Sequence, residues 1–438
     1  MGLLGSILID GRVLDDIYTL VPRAEDFYKP AHVAIYRVML ELHAQQETVG
    51  ALQAKQRLED KGLLQETGGV DYLVQLAEQT YTSSGAGDYA RIVREKAILR
   101  KLIDAAGSVL HRAYTSADPV KDQLDLAEKV VFDVAGARDL GEEATDLKTL
   151  LHETYDRLSK QVGKRITGLS TGLVDLDEQT CGLQPGEMII LAARPSMGKT
   201  ALALNIAEHI GATQKEPVLV FSLEMSKHQL ASRLLCSRSG VNSQALRKND
   251  LGEQQFQALS LCVGELSDAP IFIDDTPGLS LMAMRAKARR LASKHGIKAV
   301  MVDYLQLMSS PGAESRQQEV SELSRGIKAL ARELTVPIVC LSQLNRAAEA
   351  REGHRPRMSD LRESGSIEQD ADVVLMLHRE EYYHQNDPDW VIQNPNKAGV
   401  AELIISKQRN GPTGTVYLTF DSATTTFRTS LRPHPQDD

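Results

Sequence analysis

Excess positive charge is missing from this sequence. Its 438 residues hold 50 lysines and arginines against 59 aspartates and glutamates, a formal net charge of −9. That balance excludes binding of a polyanion through a broad basic footprint. Cysteine is scarce as well: Cys181, Cys236, Cys262 and Cys340 lie far apart, with no C-x-x-C pair. A zinc site or disulfide framework is thereby disfavoured, and a reducing cytoplasm is the expected setting. No window approaches about 18 uninterrupted apolar residues, so neither a transmembrane helix nor a membrane partner is expected. The start, MGLLGSILIDGR, lacks the basic n-region and small-residue cleavage site of a secretory signal. No internal repeat of roughly 20–50 residues is visible. What remains, 42% hydrophobic and 25% charged, is an ordinary globular composition with material for two or three domains.

Residues 1–135 read as nearly all helix. Between Ile92 and Leu110, the side chains of Ile98, Leu99, Leu102, Ile103, Ala106, Val109 and Leu110 fall on one helical face. Pro22, Pro30, Gly62 and Gly68–Gly69 punctuate the region into short helices. No phosphate loop, metal-ligand cluster or nucleophile arrangement occurs before residue 165, which suits a packing or protein-interaction domain. The stretch AGARDLGEEA is small, polar and aperiodic, and reads as a linker. After it, Leu147, Leu150, Leu151, Tyr155, Leu158 and Val162 predict one amphipathic helix over about 146–162. Its apolar stripe needs cover from a neighbouring domain or a neighbouring subunit. The linker thus spans 136–165, and a third region runs over 166–438.

From residue 166 short apolar runs recur at 187–193, 218–222, 271–274, 299–303, 337–342, 373–377 and 403–406, several followed by helical patterns. Ser226–Gln229 is a capping box for a helix that stops at Gly240. Buried β-branched strands alternating with amphipathic helices predict an α/β domain with a largely parallel sheet. A late hairpin including TVYLTFD, 415–421, is expected to finish that sheet in antiparallel fashion. The basic helix at 284–298 tempts a nucleic-acid reading. Its buried stripe of Leu281, Met284, Ala288 and Leu291 instead makes its charges a solvated face.

The chemistry gathers after the first of these strands, in Ala193, Arg194, Pro195, Ser196, Met197, Gly198, Lys199 and Thr200. A strand-to-helix loop aims backbone N–H groups and a helix N-terminus at one spot, which suits phosphate oxygens. Lys199 would reach the β- and γ-phosphates and Thr200 would ligate Mg²⁺. Ala193 departs from the glycine that usually opens this pattern. Asp303 closes the strand AVMVD, where a carboxylate holds Mg²⁺ through water. Glu224, after VLVFSL, is placed to accept the proton of an attacking water. Gln343, after PIVCLS, is placed to hydrogen-bond both water and γ-phosphate. Lys407 and Arg409 flank one residue on a strand and so point the same way. Their target is their own phosphate loop, a neighbouring subunit's γ-phosphate, or solvent.

The motifs ARPSMGKT, FSLEMS, VDYLQLM, PIVCLSQLNR, DLRESGSIEQDADVV and KQRNGPTG, in this order, resemble the bacterial replicative DNA helicases of the DnaB family. LGSILIDGRVLDDI, DFYKPAHVAIYRVM and LEDKGLLQETGGVDYL resemble the family's N-terminal part. The resemblance covers essentially the whole chain. It implies an α-helical N-terminal collar domain, a linker helix and an α/β RecA-like P-loop ATPase domain with a central, mostly parallel sheet. These assemble as a homohexameric ring around single-stranded DNA. It also implies ATP with Mg²⁺, unwinding in the 5′-to-3′ direction, and a primase and a helicase loader as partners. Under it, Lys199 and Thr200 hold phosphate and Mg²⁺, Glu224 is the catalytic base, Asp303 the Walker-B acid and Gln343 the γ-phosphate sensor. Lys407 and Arg409 act in trans on the adjacent subunit's nucleotide, and Arg362, Glu363 and Gly365 face DNA in the channel. The linker helix packs on the next subunit. Family members usually carry a further stretch before the LGSILID helix, so either a shortened first helix or a start codon assigned late is expected here. A RecA-like recombinase would need no helical N-terminal domain, and the LSQLNR and DLRESG segments disfavour a loader-type remodelling ATPase.

Overall fold

The computed structural model describes residues 1–80, 82–120, 123–124, 126–127, 130–131, 134, 146–161, 163, 165–303, 315–346, 349, 351, 353–361, 365–384 and 387–430. The chain divides into two compact units, Met1–Glu153 and Thr154–Asp438.

The first unit is helical among its described residues: α1 (Gly2–Ile9), α2 (Val13–Ile17), α3 (Pro30–Ala44), α4 (Ala51–Asp60), α5 (Gly69–Glu78) and α6 (Ala86–Thr115). The breaks fall where the residues require them. Pro30 opens α3, where its missing N–H has no helical partner to lose. Gly68 precedes α5 at a φ of 96°, in the left-handed region that favours glycine. Leu3, Leu4, Ile7, Leu14, Ile35, Tyr36, Met39, Leu42, Leu58 and Leu76 build the core. The long helix α6 buries Ala86, Ala90, Ala97 and Ala105, whereas Leu99, Leu102, Ile103 and Leu110 of the predicted apolar face are exposed in the single chain.

Helix α7 (Leu147–Gln161) lies where its periodicity predicts it, and the division between the two units falls within it. Its Leu147, Leu150, Leu151 and Tyr155 are exposed. Val162 lies outside the described residues.

The second unit is built on a nine-stranded sheet. In chain order the strands are β1 (Met188–Ala193), β2 (Val218–Ser222), β3 (Ile271–Asp274), β4 (Ala299–Asp303), β5 (Ile338–Gln343), β6 (Val373–His378), β7 (Val400–Gln408), β8 (Gly414–Asp421) and β9 (Thr426–Thr429). Their spatial order is β3-β2-β4-β5-β1-β6-β7-β8-β9. The first six in that order run parallel, and β7, β8 and β9 continue antiparallel. The expected strands are all present, and β9 is a further one that extends the expected hairpin.

The helices around this sheet are α8 (Val174–Thr180), α9 (Lys199–Glu208), α10 (Lys227–Ser239), α11 (Ser243–Lys248), α12 (Glu253–Ser267), α13 (Leu281–His295), α14 (Arg316–Leu334), α15 (Gly365–Asp370) and α16 (Pro388–Gln393). The central strands read as continuous apolar runs because both faces are covered. Ile189, Leu191, Val220, Met301 and Leu341 pack against α9 residues on one face, and Ile190, Phe221, Val302 and Cys340 against α14 residues on the other. On α13, Met284 and Ala288 are buried and Leu281 and Leu291 pack partly against the core. Its charges are more than a solvated face: Arg285 and Arg289 pair with Glu333, and Lys287 with Asp274. Among the described residues, no helix is long and apolar enough to cross a membrane.

Candidate nucleotide site

In a parallel sheet, ligands gather beyond the carboxyl ends of the strands, where loops and helix N-termini converge. Register brings four such ends together here. Ser222 of β2 lies opposite Asp303 of β4, and Ala193 of β1 opposite Gln343 of β5. The phosphate loop, Glu224, Asp303 and Gln343 therefore share one edge of the sheet.

The loop leaves β1 at Ala193, which still pairs in the sheet with Gln343 on one side and Leu377 on the other. Extended backbone suits any residue, so the absence of a glycine at that position has no conformational cost. The sharp turns come later, at Ser196 (φ 65°) and Gly198 (φ 99°). Glycine is required at 198 for a second reason: a Cβ there would lie 2.8 Å from Phe427 Cζ. Pro195 offers no N–H, so the phosphate-facing donors must come from Ser196 through Thr200. Met197 is buried and anchors the loop in the core. The Arg194 side chain turns away from the loop. It donates to the Leu344 carbonyl (2.7 Å) and to Glu349 Oε1 (2.6 and 2.8 Å).

Lys199 opens α9 with its ammonium 3.7 Å from Asp303 Oδ1. Burial pushes its pKa down, while Asp303 and Glu224 push it back up. A polyanion in the site would act in the same direction as these carboxylates and favour the charged form. Thr200 Oγ1 donates to Asp303 Oδ2 at 2.7 Å. The other carboxylate oxygen, Asp303 Oδ1, is buried with no hydrogen-bond partner. A threonine hydroxyl beside an orphaned carboxylate oxygen is the donor set that a hydrated Mg²⁺ takes. Glu224 stands exposed just beyond β2, and Gln343 is half-buried at the end of β5.

Three further side chains at this edge escape the sequence reading. Arg233, on α10, carries a charge that burial disfavours and that Asp303 and Glu224 favour. The other two are Arg379 and Phe420: the guanidinium lies 3.9 Å from the ring centroid, a cation–π contact, and the Phe420 ring in turn packs on Phe427. Phe427 and Phe420 both approach Gly198. Arg379 follows the end of β6 as Glu224 follows that of β2, and that shared position is the signal by which it could have been found.

Lys407 and Arg409 lie elsewhere. Strand β7 runs antiparallel to β6, with Lys407 opposite Val374, and Val374 opposite Ile190 at the start of β1. Both cations thus sit at the sheet edge away from the phosphate loop. Ile190 lies three residues of strand, about 10 Å, before Ala193, and both cations bond to the carbonyls at the end of α15 instead of to the loop. In this structure neither side chain is bonded to the subunit's own phosphate loop. Gly365 is exposed and begins α15; Arg362 and Glu363 lie outside the described residues.

A phosphate loop on the first strand of a parallel sheet, with a strand-end carboxylate bonded to its threonine, defines a RecA-like P-loop ATPase domain. Comparison with known proteins agrees along the chain. Residues 168–429 match the DnaB-like helicase C terminal domain, and residues 1–95 the DnaB-like helicase N terminal domain. The chain is 44% identical over 405 residues to the replicative DNA helicase DnaC of Bacillus subtilis, covering 92% of this chain and 87% of that one. It is also 44% identical over 419 residues to the replicative DNA helicase DnaB of Geobacillus stearothermophilus, covering 94% and 90%. A solved structure of a DnaB-like replicative helicase, described with its interactions with primase, superposes with a TM-score of 0.76 at 31% identity over 98% of both chains. The chain belongs to the DnaB family of replicative DNA helicases, enzymes that hydrolyse ATP to unwind DNA.

Proposed function

We propose that this chain binds ATP with Mg²⁺ at the edge formed by β1, β2, β4 and β5, and hydrolyses it together with two cations from a neighbouring copy. The observation that carries this reading is the split between the two sheet edges. Phosphate loop, Thr200–Asp303, Glu224 and Gln343 share one edge; Lys407 and Arg409 occupy the other. Such a site is complete only when one subunit's second edge meets the next subunit's first, head to tail, as in a ring or a filament, and the family resemblance favours the ring.

Within the site, backbone N–H groups from Ser196 to Thr200 hold the β- and γ-phosphates, and Lys199 neutralises them. Thr200, and Asp303 through water, would hold Mg²⁺, which would neutralise charge on the phosphates. Glu224 orients the attacking water and takes its proton. Gln343 bonds water and γ-phosphate together and responds when that phosphate leaves. Lys407 and Arg409 of the neighbour stabilise the charge that develops on the transferred group. The base stacks beside Arg379 and Phe420, whose cation–π pair closes over the phosphate-loop glycine.

The assembly is a homohexamer that encloses single-stranded DNA, with Arg362, Glu363 and Gly365 facing the strand. The exposed stripe of α7 supports this assembly, as do exposed Phe256, Leu261 and Val263 on α12, which offer apolar surface for a second copy. Primase docks on the N-terminal collar and a loader opens the ring, both in the cytoplasm. By domain, residues 1–135 form the collar, 136–165 the linker and 166–438 the motor. Lys199→Ala is expected to abolish ATPase and strand displacement on forked DNA while the ring still forms by sedimentation. Retained DNA-stimulated ATPase in that variant contradicts the site assignment.

A further inference from the structure

Lys407 and Arg409 are held by the end of one short helix. An ammonium has three N–H donors, and three main-chain carbonyls receive those of Lys407: Glu368, Gln369 (3.3 Å) and Ala371 (2.8 Å). Arg409 Nη2 donates to the Gln369 carbonyl at 2.9 Å, and its backbone N–H to the Asp372 carbonyl at 2.9 Å. Its Nη1 also lies 3.4 Å from Asp372 Oδ1. The Asp372 carboxylate is itself fixed, accepting from the Met188 N–H (2.8 Å) and from Lys328.

The carbonyls involved are those of the last turn of α15 and the residue after it. Such carbonyls have no intrahelical partner, and they form the negative end of the helix. Cations are their natural caps, and charge-assisted hydrogen bonds are the strong kind. Helix α15 begins at Gly365, at the end of the segment assigned above to DNA. One end of a six-residue rod therefore meets that segment, and the other is closed by the two cations assigned to the neighbour's nucleotide.

We infer that Lys407 works in two positions: it closes α15 of its own subunit, and on turning to a neighbour's γ-phosphate it gives up at least one of those carbonyls. All three of its donors are engaged in the first position, so the two states compete. Nucleotide on one subunit thereby loosens the helix that carries the DNA-facing segment of the next. By linkage the coupling is reciprocal: DNA that favours the loosened α15 favours Lys407 on the phosphate, the sense in which DNA stimulates hydrolysis. Asp372 is the positioning residue, anchoring Arg409 to the first strand while Lys407 moves. The inference rests on the trans role proposed above.

Hydrogen exchange of the full-length ring, read by mass spectrometry over residues 365–372, tests it. A non-hydrolysable ATP analogue should raise exchange in this peptide about fivefold. Lys407→Gln should raise it by a similar factor without nucleotide and remove the response to analogue. Lys407→Arg, which keeps the donors, should behave like the wild type. Unchanged exchange on analogue binding, with the phosphate-loop peptide protected, overturns the coupling. Unchanged exchange in nucleotide-free Lys407→Gln overturns it too. If Lys407→Gln keeps full DNA-stimulated ATPase, the trans role itself fails, an outcome distinct from either of those.

Discussion

Single residues at the phosphate loop are fixed by backbone geometry as much as by chemistry. Gly198 holds a φ of 99° and lies against Phe427, so alanine there meets both strain and a collision. Gly198→Ala is expected to lower stability by about 2 kcal/mol and to weaken nucleotide binding, measurable by denaturant unfolding and by fluorescent-nucleotide titration. His378, at the end of β6, gives a pH dependence. Burial, the largest influence on it, lowers its pKa to about 4, and it is only 3% exposed. The folded chain then leaves this imidazole neutral at pH 5, while the unfolded chain binds a proton below pH 6.5. Its contribution is complete above pH 6.5 and falls away as the pH drops towards 4. The loss reaches about 2 kcal/mol at pH 5. Replacing it, as in His378→Phe, should make the unfolding free energy less sensitive to pH between 7 and 5. An unchanged slope contradicts the assignment.

At the scale of elements, local signals and tertiary placement separate cleanly. Ser226 accepts from the Gln229 N–H, and the Gln229 side chain accepts from the Ser226 N–H, so the predicted capping box opens α10 as read; Gly240 ends it at a φ of 71°. Ser226→Ala should cost about 1 kcal/mol. Because α10 carries Arg233 towards Asp303 and Glu224, ATPase should fall with it, and thermal unfolding with activity assays checks both. Strand positions were legible because doubly covered strands are continuous apolar runs. Strand β9 was not: TFRT is short and mixed, and it pairs only because β8 is already in place. The predicted apolar face of α6 is a face, yet the residues this helix buries within the chain are alanines. Periodicity locates a stripe without saying what covers it. In the site, Lys199, Thr200, Asp303, Glu224 and Gln343 were legible because each ends or follows a strand. Arg379 shares that signal, following β6, whereas Arg233 and Phe420 depend on which elements meet in space, which spacing along one chain does not encode.

The whole molecule gives the acidic balance its meaning. A net charge of −9 excludes a broad electrostatic footprint for DNA. On the proposed reading none is needed. A closed ring retains its strand topologically, and modest contacts from each subunit add up. The same reading gives the sheet its logic, since a nucleotide site divided between opposite edges would be completed only by a second chain. The most direct test is ATP hydrolysis by rings mixed from two inactive variants, Lys199→Ala and Arg409→Ala. A Lys199→Ala subunit still offers its intact Arg409 to a neighbour whose phosphate loop is intact. Mixed rings are therefore expected to recover DNA-stimulated hydrolysis that neither variant has alone. Mixing that restores nothing, while subunit exchange is demonstrated in the same sample, contradicts the shared site.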